Sequence, residues 1–338
     1  MTKILVTGGA GYIGSHCVVK LLESGYTPVI YDDFSNSSPK AIDRIYQITG
    51  IRPNYYRGDI RDIYALENVF QENHISAVIH FAGKKSVCES ERFPLLYYSV
   101  NVEGSICLLN LMEKYGVKKI VFSSTATVYG NCESFGVEET APLGPINNYG
   151  KSKLIFENVL QEVADKDPNW SVGILRYFNP VGAHPSGLIG EDPNGIPANL
   201  MPFISQVAAG KRKKVKVFGN DYPTRDGTGS RDYIHVEDLV EAHVKTLNLL
   251  DKKKGVQILN LGTGKDTTVL ELIKTFSTVN HITVPFEVVG RRVGDSAICF
   301  ANPNKAHNIL NWSATRTIED MCRDTWRWQV LNPTGYKS

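Results

Sequence analysis

The chain has 338 residues, 42% apolar and 21% charged, a balance that builds a sizeable core and excludes an intrinsically disordered polymer. Its 37 Lys and Arg against 35 Asp and Glu leave a formal charge of +2, too little to predict a nucleic-acid partner or a membrane surface. Six scattered cysteines with no Cys-x-x-Cys pair predict reduced thiols and no metal centre, and the first apolar run begins too early for a signal peptide, so a cytoplasmic protein is expected.

Apolar runs at Ile4–Val6, Val29–Tyr31, Tyr55–Tyr56, Val78–Phe81, Ile120–Phe122 and Val172–Leu175 predict buried strands. Helical patterns fill the gaps, near Gly14–Glu23, Ile63–Glu72, Pro94–Tyr115 and Tyr149–Ala164. Strands without polar alternation, each followed by a helix, predict βαβ units in a doubly wound parallel sheet covered on both faces. After Asn179-Pro180 the chain turns rich in Gly, Pro and Asn, which marks a boundary. Beyond it lie predicted helices at Met201–Ala209, Val236–Leu250, Val269–Val279 and Ile318–Gln329, with strands near Val215–Phe218 and Ile258–Leu261. The expected division is residues 1–180 for the dinucleotide domain and 181–338 for a smaller mixed α/β C-terminal substrate domain, with segments near 236–262 returning to the first.

The run from Lys3 to Gly14 places Gly8, Gly11 and Gly14 directly after an apolar strand and at the mouth of a helix. In that context the first glycine permits the tight turn and the second lets the backbone approach a pyrophosphate. The third lets helix pack on strand, while the helix N-terminus supplies N–H groups and partial positive charge. Asp32 ends the second strand at the distance where a carboxylate accepts from the adenosine ribose, and its charge repels the 2′-phosphate of NADP. A Rossmann sheet binding NAD is therefore expected, and the strand-end loops Gly58-Asp59-Ile60 and Phe81-Ala82-Gly83-Lys84-Lys85 fall where such a sheet meets its ligand.

Tyr149 and Lys153 lie four residues apart on one helical face. Half-ionising a phenol near pH 7 requires about 4 kcal/mol, and one cation about 6 Å away at an effective dielectric near 20 supplies nearly 3 kcal/mol. Lys153 together with the positive nicotinamide of NAD⁺ is then enough to make Tyr149 a working base. The strand ending in Ser123-Ser124-Thr125 adds a hydroxyl beside it.

Thr-Gly-x-x-Gly-x-x-Gly, Ser-Ser-Thr with Val-Tyr-Gly, and Tyr-x-x-x-Lys together resemble the extended short-chain dehydrogenase/reductase superfamily. The later motifs are Leu175 to Gly187, Gly190-Glu-Asp-Pro, Asn199-Leu-Met-Pro, Gly219 to Thr224, Gly227 to Val236 and Arg291-Arg-Val-Gly-Asp295. They resemble the UDP-glucose 4-epimerase family across essentially the whole chain. That resemblance implies interconversion of UDP-galactose and UDP-glucose by transient oxidation at C4, in galactose metabolism, with Tyr149 as base, Lys153 lowering its pKa, and Thr125, often Ser in relatives, bonding the sugar O4. It also implies cofactor contacts at Tyr12, Ile13, Asn36, Lys85, Asn101 and Phe178. UDP-sugar contacts fall at Asn179, Asn199, Leu200, Val217, Phe218, Arg231, Arg292, Asp295 and Cys299. Arg231 and Arg292 make independent sense, since guanidinium groups pair well with a diphosphate.

Bacterial relatives often carry Tyr where Cys299 stands, beside the sugar C2 substituent, so the smaller residue implies activity on UDP-N-acetylglucosamine and UDP-N-acetylgalactosamine as well. A small core cysteine is the plainer reading of the same residue. Sugar-nucleotide 4,6-dehydratases place Asp-Glu where this chain has Ala126-Thr127, which leaves epimerases of other UDP-sugars as the nearest rivals. A non-enzymatic NAD sensor on the same scaffold is the reading from a different class. Apolar positions Leu95, Val102, Leu109, Leu154, Val159 and Val163 on two helices predict pairing with a second copy, a homodimer through a helical bundle.

Overall fold

The computed structural model describes residues 2–130, 132, 136–292 and 295–337. The chain divides into two units. The first comprises residues 1–130, 142–177 and 240–259, and the second 131–141, 178–239 and 260–338.

In the first unit, six strands alternate with helices: β1 (Lys3–Thr7), β2 (Thr27–Asp32), β3 (Asn54–Arg57), β4 (Ile75–His80), β5 (Lys119–Thr125) and β6 (Ser171–Tyr177). All six run parallel. The order across the sheet is Gly255–Leu261, β6, β5, β4, β1, β2, β3. The jump from β1 to β4 is the point where the winding reverses and where such a sheet opens a crevice at its carboxyl ends. Leu5, Val29, Val78, Ile120 and Phe122 from the strands pack on Leu66, Val69, Leu108, Met112, Phe156 and Leu160 from the helices, all buried. Each such side chain contributes about 2 kcal/mol, so the strand ends are carried on a rigid base.

Four local features differ from the sequence expectations. The helix Lys40–Thr49 was not predicted. Its buried face is only Ala41, Ile42 and Ile45, and Gly50 ends it in the left-handed region. Tyr55 and Tyr56 are not buried, because β3 is the sheet edge and Tyr55 is exposed. The expected helix Pro94–Tyr115 is α-helical over Pro94–Tyr98 and Gly104–Lys114 but widens to a π turn at Ser99–Glu103. Of its predicted pairing positions Leu109 is buried in the unit's own core, and Val159 and Val163 of the later helix pack against that core. The exposed apolar side chains on these helices are Leu95, Ile106 and Ile155.

The second unit is mixed. Asn179–Val181 and Ile298–Cys299 run parallel to Ser230–His235, while Asp266–Thr268 runs antiparallel to it. A parallel pair, Val215–Phe218 with Phe286–Val289, stands apart. Its core joins Val181, Met201, Ile204, Val217, Tyr233, Phe276 and Met321. The helices Val269–Asn280 and Ile318–Leu331 both start on reciprocal capping boxes, Thr268 with Glu271 and Thr317 with Asp320, which fixes where each begins. Among the described residues no helix is long and apolar enough to cross a membrane.

Candidate active site

β1 delivers the chain into Gly8, whose φ of +69° favours glycine. A Cβ on Gly8 would stand 2.7 Å from the Ala82 nitrogen, and one on Gly14 only 2.1 Å from the Gly8 carbonyl oxygen. The loop is therefore closed to side chains on both sides. The helix Tyr12–Glu23 starts at Gly11 with no side-chain cap and no acidic residue in its first turn, so its N-terminal N–H groups and dipole are offered to an anion.

Asp32 is buried where β2 ends. Its carboxylate accepts from Ala10 N at 2.9 Å, Phe34 N at 2.9 Å and Ser37 Oγ at 2.7 Å. Burial raises its pKa against the pull of those hydrogen bonds, and a carboxylate with about four acceptor positions keeps one for a ribose hydroxyl. These features fit NAD. Asn36 is exposed beside Asp32. Asp59 is engaged by Arg61, which holds its carboxyl below the usual range. Ile60 lies in the core.

The β4 loop meets β1 directly, since Phe81 N and Ala82 N both donate to Thr7 O. Asn101, in the π turn, then clamps that loop. Its Oδ1 accepts from Lys84 N at 2.7 Å, and its Nδ2 donates to Lys84 O at 3.0 Å and Ser152 Oγ at 2.9 Å. Ser152 Oγ in turn donates to Tyr149 O at 2.7 Å. Asn101 was expected to touch the cofactor. Its two amide hydrogens tie the loop to the helix of Tyr149. A widened turn inside a helix recurs at functional sites. Lys85 is exposed on the same loop, and a Cβ on Gly83 would come within 3.0 Å of Asn101 Oδ1.

Asn147 caps the helix Asn148–Lys166 by accepting from Gly150 N at 2.8 Å, which sets Tyr149 in its first turn. Thr125 ends β5, shares a 2.8 Å hydroxyl contact with Thr127, and hydrogen-bonds the Tyr149 phenol. Lys153 is buried, donates to Ser123 O at 3.0 Å and lies 4.8 Å over the Phe122 ring. The three catalytic candidates are thus brought together.

Their electrostatics add burial to the expectation drawn from spacing. Burial pushes the Tyr149 phenol up to about 12, opposed by the hydrogen bond from Thr125. Burial also brings Lys153 down to about 8, with Glu157 opposing. A low-dielectric site disfavours both charges alone. Ionising the phenol therefore calls for a further positive charge, which an oxidised nicotinamide carries. Sequence reasoning missed Ser152, Ser123 and the buried pair Glu157–Arg176. The spacing of Glu157, one turn beyond Lys153, was the available signal.

The second unit holds the remaining candidates. Arg292 Nε donates to Asp295 Oδ2 at 2.9 Å, and its guanidinium lies 4.7 Å over the Phe218 ring. Arg231 is 4.0 Å from Asp295 and donates to Ser230 O and Ser296 O. Two guanidinium groups around one carboxylate, with an aromatic face alongside, can take a diphosphate and a planar base. Cys299 is opposite Arg231 in strand register. Val217 points into the core, so only its main chain is available to a ligand. Phe178 is buried, Asn179 is exposed at a strand start, and Asn199, with Nδ2 on Glu191, precedes the half-buried Leu200 at a helix start.

The expectation of six reduced thiols fails for one pair, because Cys132 is disulfide-bonded to Cys299. The cause is long-range backbone pairing. Val137 N donates to Phe300 O and Asn302 N to Val137 O, which brings residue 132 to the strand of Cys299.

Comparison with known proteins agrees with this geometry. Residues 4–262 match the NAD dependent epimerase/dehydratase family. The chain is 56% identical over 335 residues, 99% of each chain, to a UDP-glucose 4-epimerase of Bacillus subtilis (strain 168). It is 49% identical, at a TM-score of 0.96 and covering 99% and 100% of the two chains, to the UDP-glucose 4-epimerase of Bifidobacterium longum solved with NAD+ and UDP. A UDP-Glc/GlcNAc 4-epimerase from Campylobacter jejuni is 34% identical, at a TM-score of 0.86, covering 98% and 100% of the chains.

Proposed function

The chain belongs to the NAD dependent epimerase/dehydratase family, and on that premise we propose that it interconverts UDP-galactose and UDP-glucose with a resident NAD. The observation that carries this is the joining of Tyr149, Thr125 and Lys153 at the carboxyl end of a sheet whose first loop is shaped for a dinucleotide. Gly8, Gly11, Gly14 and Asp32 hold NAD in the first unit, residues 1–180 with the return near 236–262. When bound there, NAD would supply an acceptor for the hydride of the hexose C4. Tyr149 takes the proton of the C4 hydroxyl, Thr125 shares that hydrogen bond, and Lys153 supplies positive charge beside the phenol. Arg231 and Arg292 hold the diphosphate in the second unit, residues 181–338, so binding energy sits in the nucleotide and leaves the hexose loosely held. A loosely held 4-keto sugar can present its other face, which inverts C4. Purified protein is expected to turn over UDP-galactose with no added cofactor, and a strict need for added NAD would count against a resident one.

The same reading extends to the N-acetylated pair of sugars. The cysteine side chain is smaller than the tyrosine side chain often found at position 299 in bacterial relatives, and a relative of this fold is named for both glucose and N-acetylglucosamine substrates. Cys299→Tyr is expected to lower turnover of UDP-N-acetylglucosamine at least tenfold while UDP-galactose turnover changes less than threefold. A wild-type enzyme inert on the acetamido substrates contradicts this. A cytoplasmic location and a homodimer complete the proposal. The first is supported by four free thiols, Cys17, Cys88, Cys107 and Cys322, and the second by the exposed Leu95, Ile106 and Ile155.

A further inference from the structure

Behind the catalytic helix lies a buried ion pair that the reaction described above leaves unused. Glu157 is 0% exposed and Arg176 1%. The guanidinium grips the carboxylate with Nε at 3.1 and 3.2 Å from its two oxygens and Nη2 at 2.6 Å. A pair taken this far out of water brings little net stability, and replacement by apolar residues of similar volume is often neutral or better. Its presence in a chain with ample core residues calls for another explanation.

What the pair touches supplies one. Ser124 Oγ donates to Glu157 Oε1, and Arg176 Nη1 meets the Tyr129 hydroxyl at 2.9 Å with the guanidinium over that ring. Ser124 immediately precedes Thr125, and Tyr129 ends the 3₁₀ turn Ala126–Tyr129 that carries Thr127. The pair therefore fastens both ends of the hydroxyl strip that meets the Tyr149 phenol. Glu157 also sits one helical turn beyond Lys153, the separation at which side chains on one helix face each other.

The groups around Lys153 leave Glu157 as its counter-charge. Its own helix contributes Tyr149 and Glu157. β4 contributes His80, bonded to Thr7 and Ser105 and held neutral by burial, which brings it down to about 3. β5 contributes the Phe122 ring and the Ser123 carbonyl. β6 contributes Arg176, turned onto Glu157, and Tyr177, whose phenol burial keeps protonated. Among the described residues, the carboxylate that acts on Lys153 is that of Glu157.

We propose that Glu157 is a positioning residue for the reaction: its carboxylate, held in place by Arg176, keeps Lys153 a cation one turn away and fixes the Ser124–Tyr129 strip against Tyr149. This deepens the reading of Tyr149 and Lys153 as the catalytic pair and rests on it. Arg176 offsets the charge of that carboxylate locally, through the contact of its guanidinium with both oxygens.

The test uses two full-length variants. Glu157→Gln removes the charge and keeps an acceptor for Ser124. Glu157→Leu combined with Arg176→Met removes both charges, so that no lone ion is left buried. Two readouts are taken: the titration of Lys153 followed by NMR of ¹³C-labelled lysine, and kcat against pH for UDP-galactose. The Lys153 midpoint is expected to fall by at least one pH unit in both variants. The alkaline limb of kcat should fall with it, so that turnover near pH 8 drops about tenfold and recovers partly at lower pH, and Glu157→Asp should restore most of it. An unchanged midpoint in the folded double variant overturns the proposal. So does a loss of turnover equal at every pH, or failure of the charge-free double variant to fold, either of which assigns the pair to architecture alone. The lysine titration is read without turnover, so a wild type inactive on UDP-galactose would sink the proposed activity while leaving this measurement to decide separately.

Discussion

Tyr149→Phe lowers turnover of UDP-galactose about 10³-fold, within the range that general acid–base catalysis supplies, while the protein keeps its fold and its NAD. The substitution removes one hydroxyl whose partner is the Thr125 side chain. The main-chain carbonyl that accepts from Ser152 stays, and so do the Asn147 cap and the glycine loop. Turnover measured beside NAD released on denaturation and a thermal melt separates these effects. A variant that matches the parent's rate removes Tyr149 from the chemistry. One that loses NAD in proportion to activity makes the phenol a binding group instead.

Lys153→Met abolishes most activity, by about 10²-fold or more, yet the cofactor-free variant melts no lower than the parent at pH 7. The sign follows from linkage. The folded-state value near 8 lies below the ordinary 10.5, so the unfolded chain holds this proton more tightly than the native one. The stability tied to Lys153 is present above 10.5 and lost as pH falls through about 8. Near neutrality the buried cation costs up to about 3 kcal/mol by the free-energy equivalent of a pKa difference. The parent should therefore gain on the variant as pH rises from 8 to 10.5. Denaturant midpoints of both proteins across that window check it, and a variant clearly less stable at pH 7 contradicts the sign. Turnover is expected to follow the same titration on its alkaline side: kcat falls as Lys153 loses its proton, with the limb near pH 8, where burial places the lysine.

The parts of this molecule whose geometry was readable in advance are those that local spacing determines. Gly8, Gly11 and Gly14 between a strand and a helix, with Asp32 at the end of the next strand, describe one continuous βαβ unit. Tyr149 and Lys153 sit on a single helix, so their juxtaposition needs nothing beyond helical geometry. The alternation of apolar runs likewise indicated a parallel sheet, which β1–β6 form. Apolar content alone could not say that β3 would be an edge, where Tyr55 is exposed, because edge position is a property of the sheet order.

Other features depend on contacts that no local pattern announces. Cys132 and Cys299 are 167 residues apart and meet because residues 137 and 300–302 pair through their backbones. The π turn around Asn101 answers to the loop it clamps rather than to its own apolar periodicity. Glu157 and Arg176 carry charges that sequence reasoning assigns to solvent by default, and only the pairing across β6 and the catalytic helix makes their burial possible. The opposing pKa directions of Tyr149 and Lys153 arise the same way, from burial, which spacing alone does not report.

The most direct measurement of the central claim is the fate of the hydrogen at C4. Purified protein is incubated with UDP-galactose in heavy water with no added cofactor, and the UDP-glucose formed is examined by NMR. If Tyr149 handles only the hydroxyl proton while the carbon-bound hydrogen leaves to and returns from resident NAD, the product carries no deuterium at C4. Deuterium at that carbon, or no UDP-glucose at all, contradicts the account.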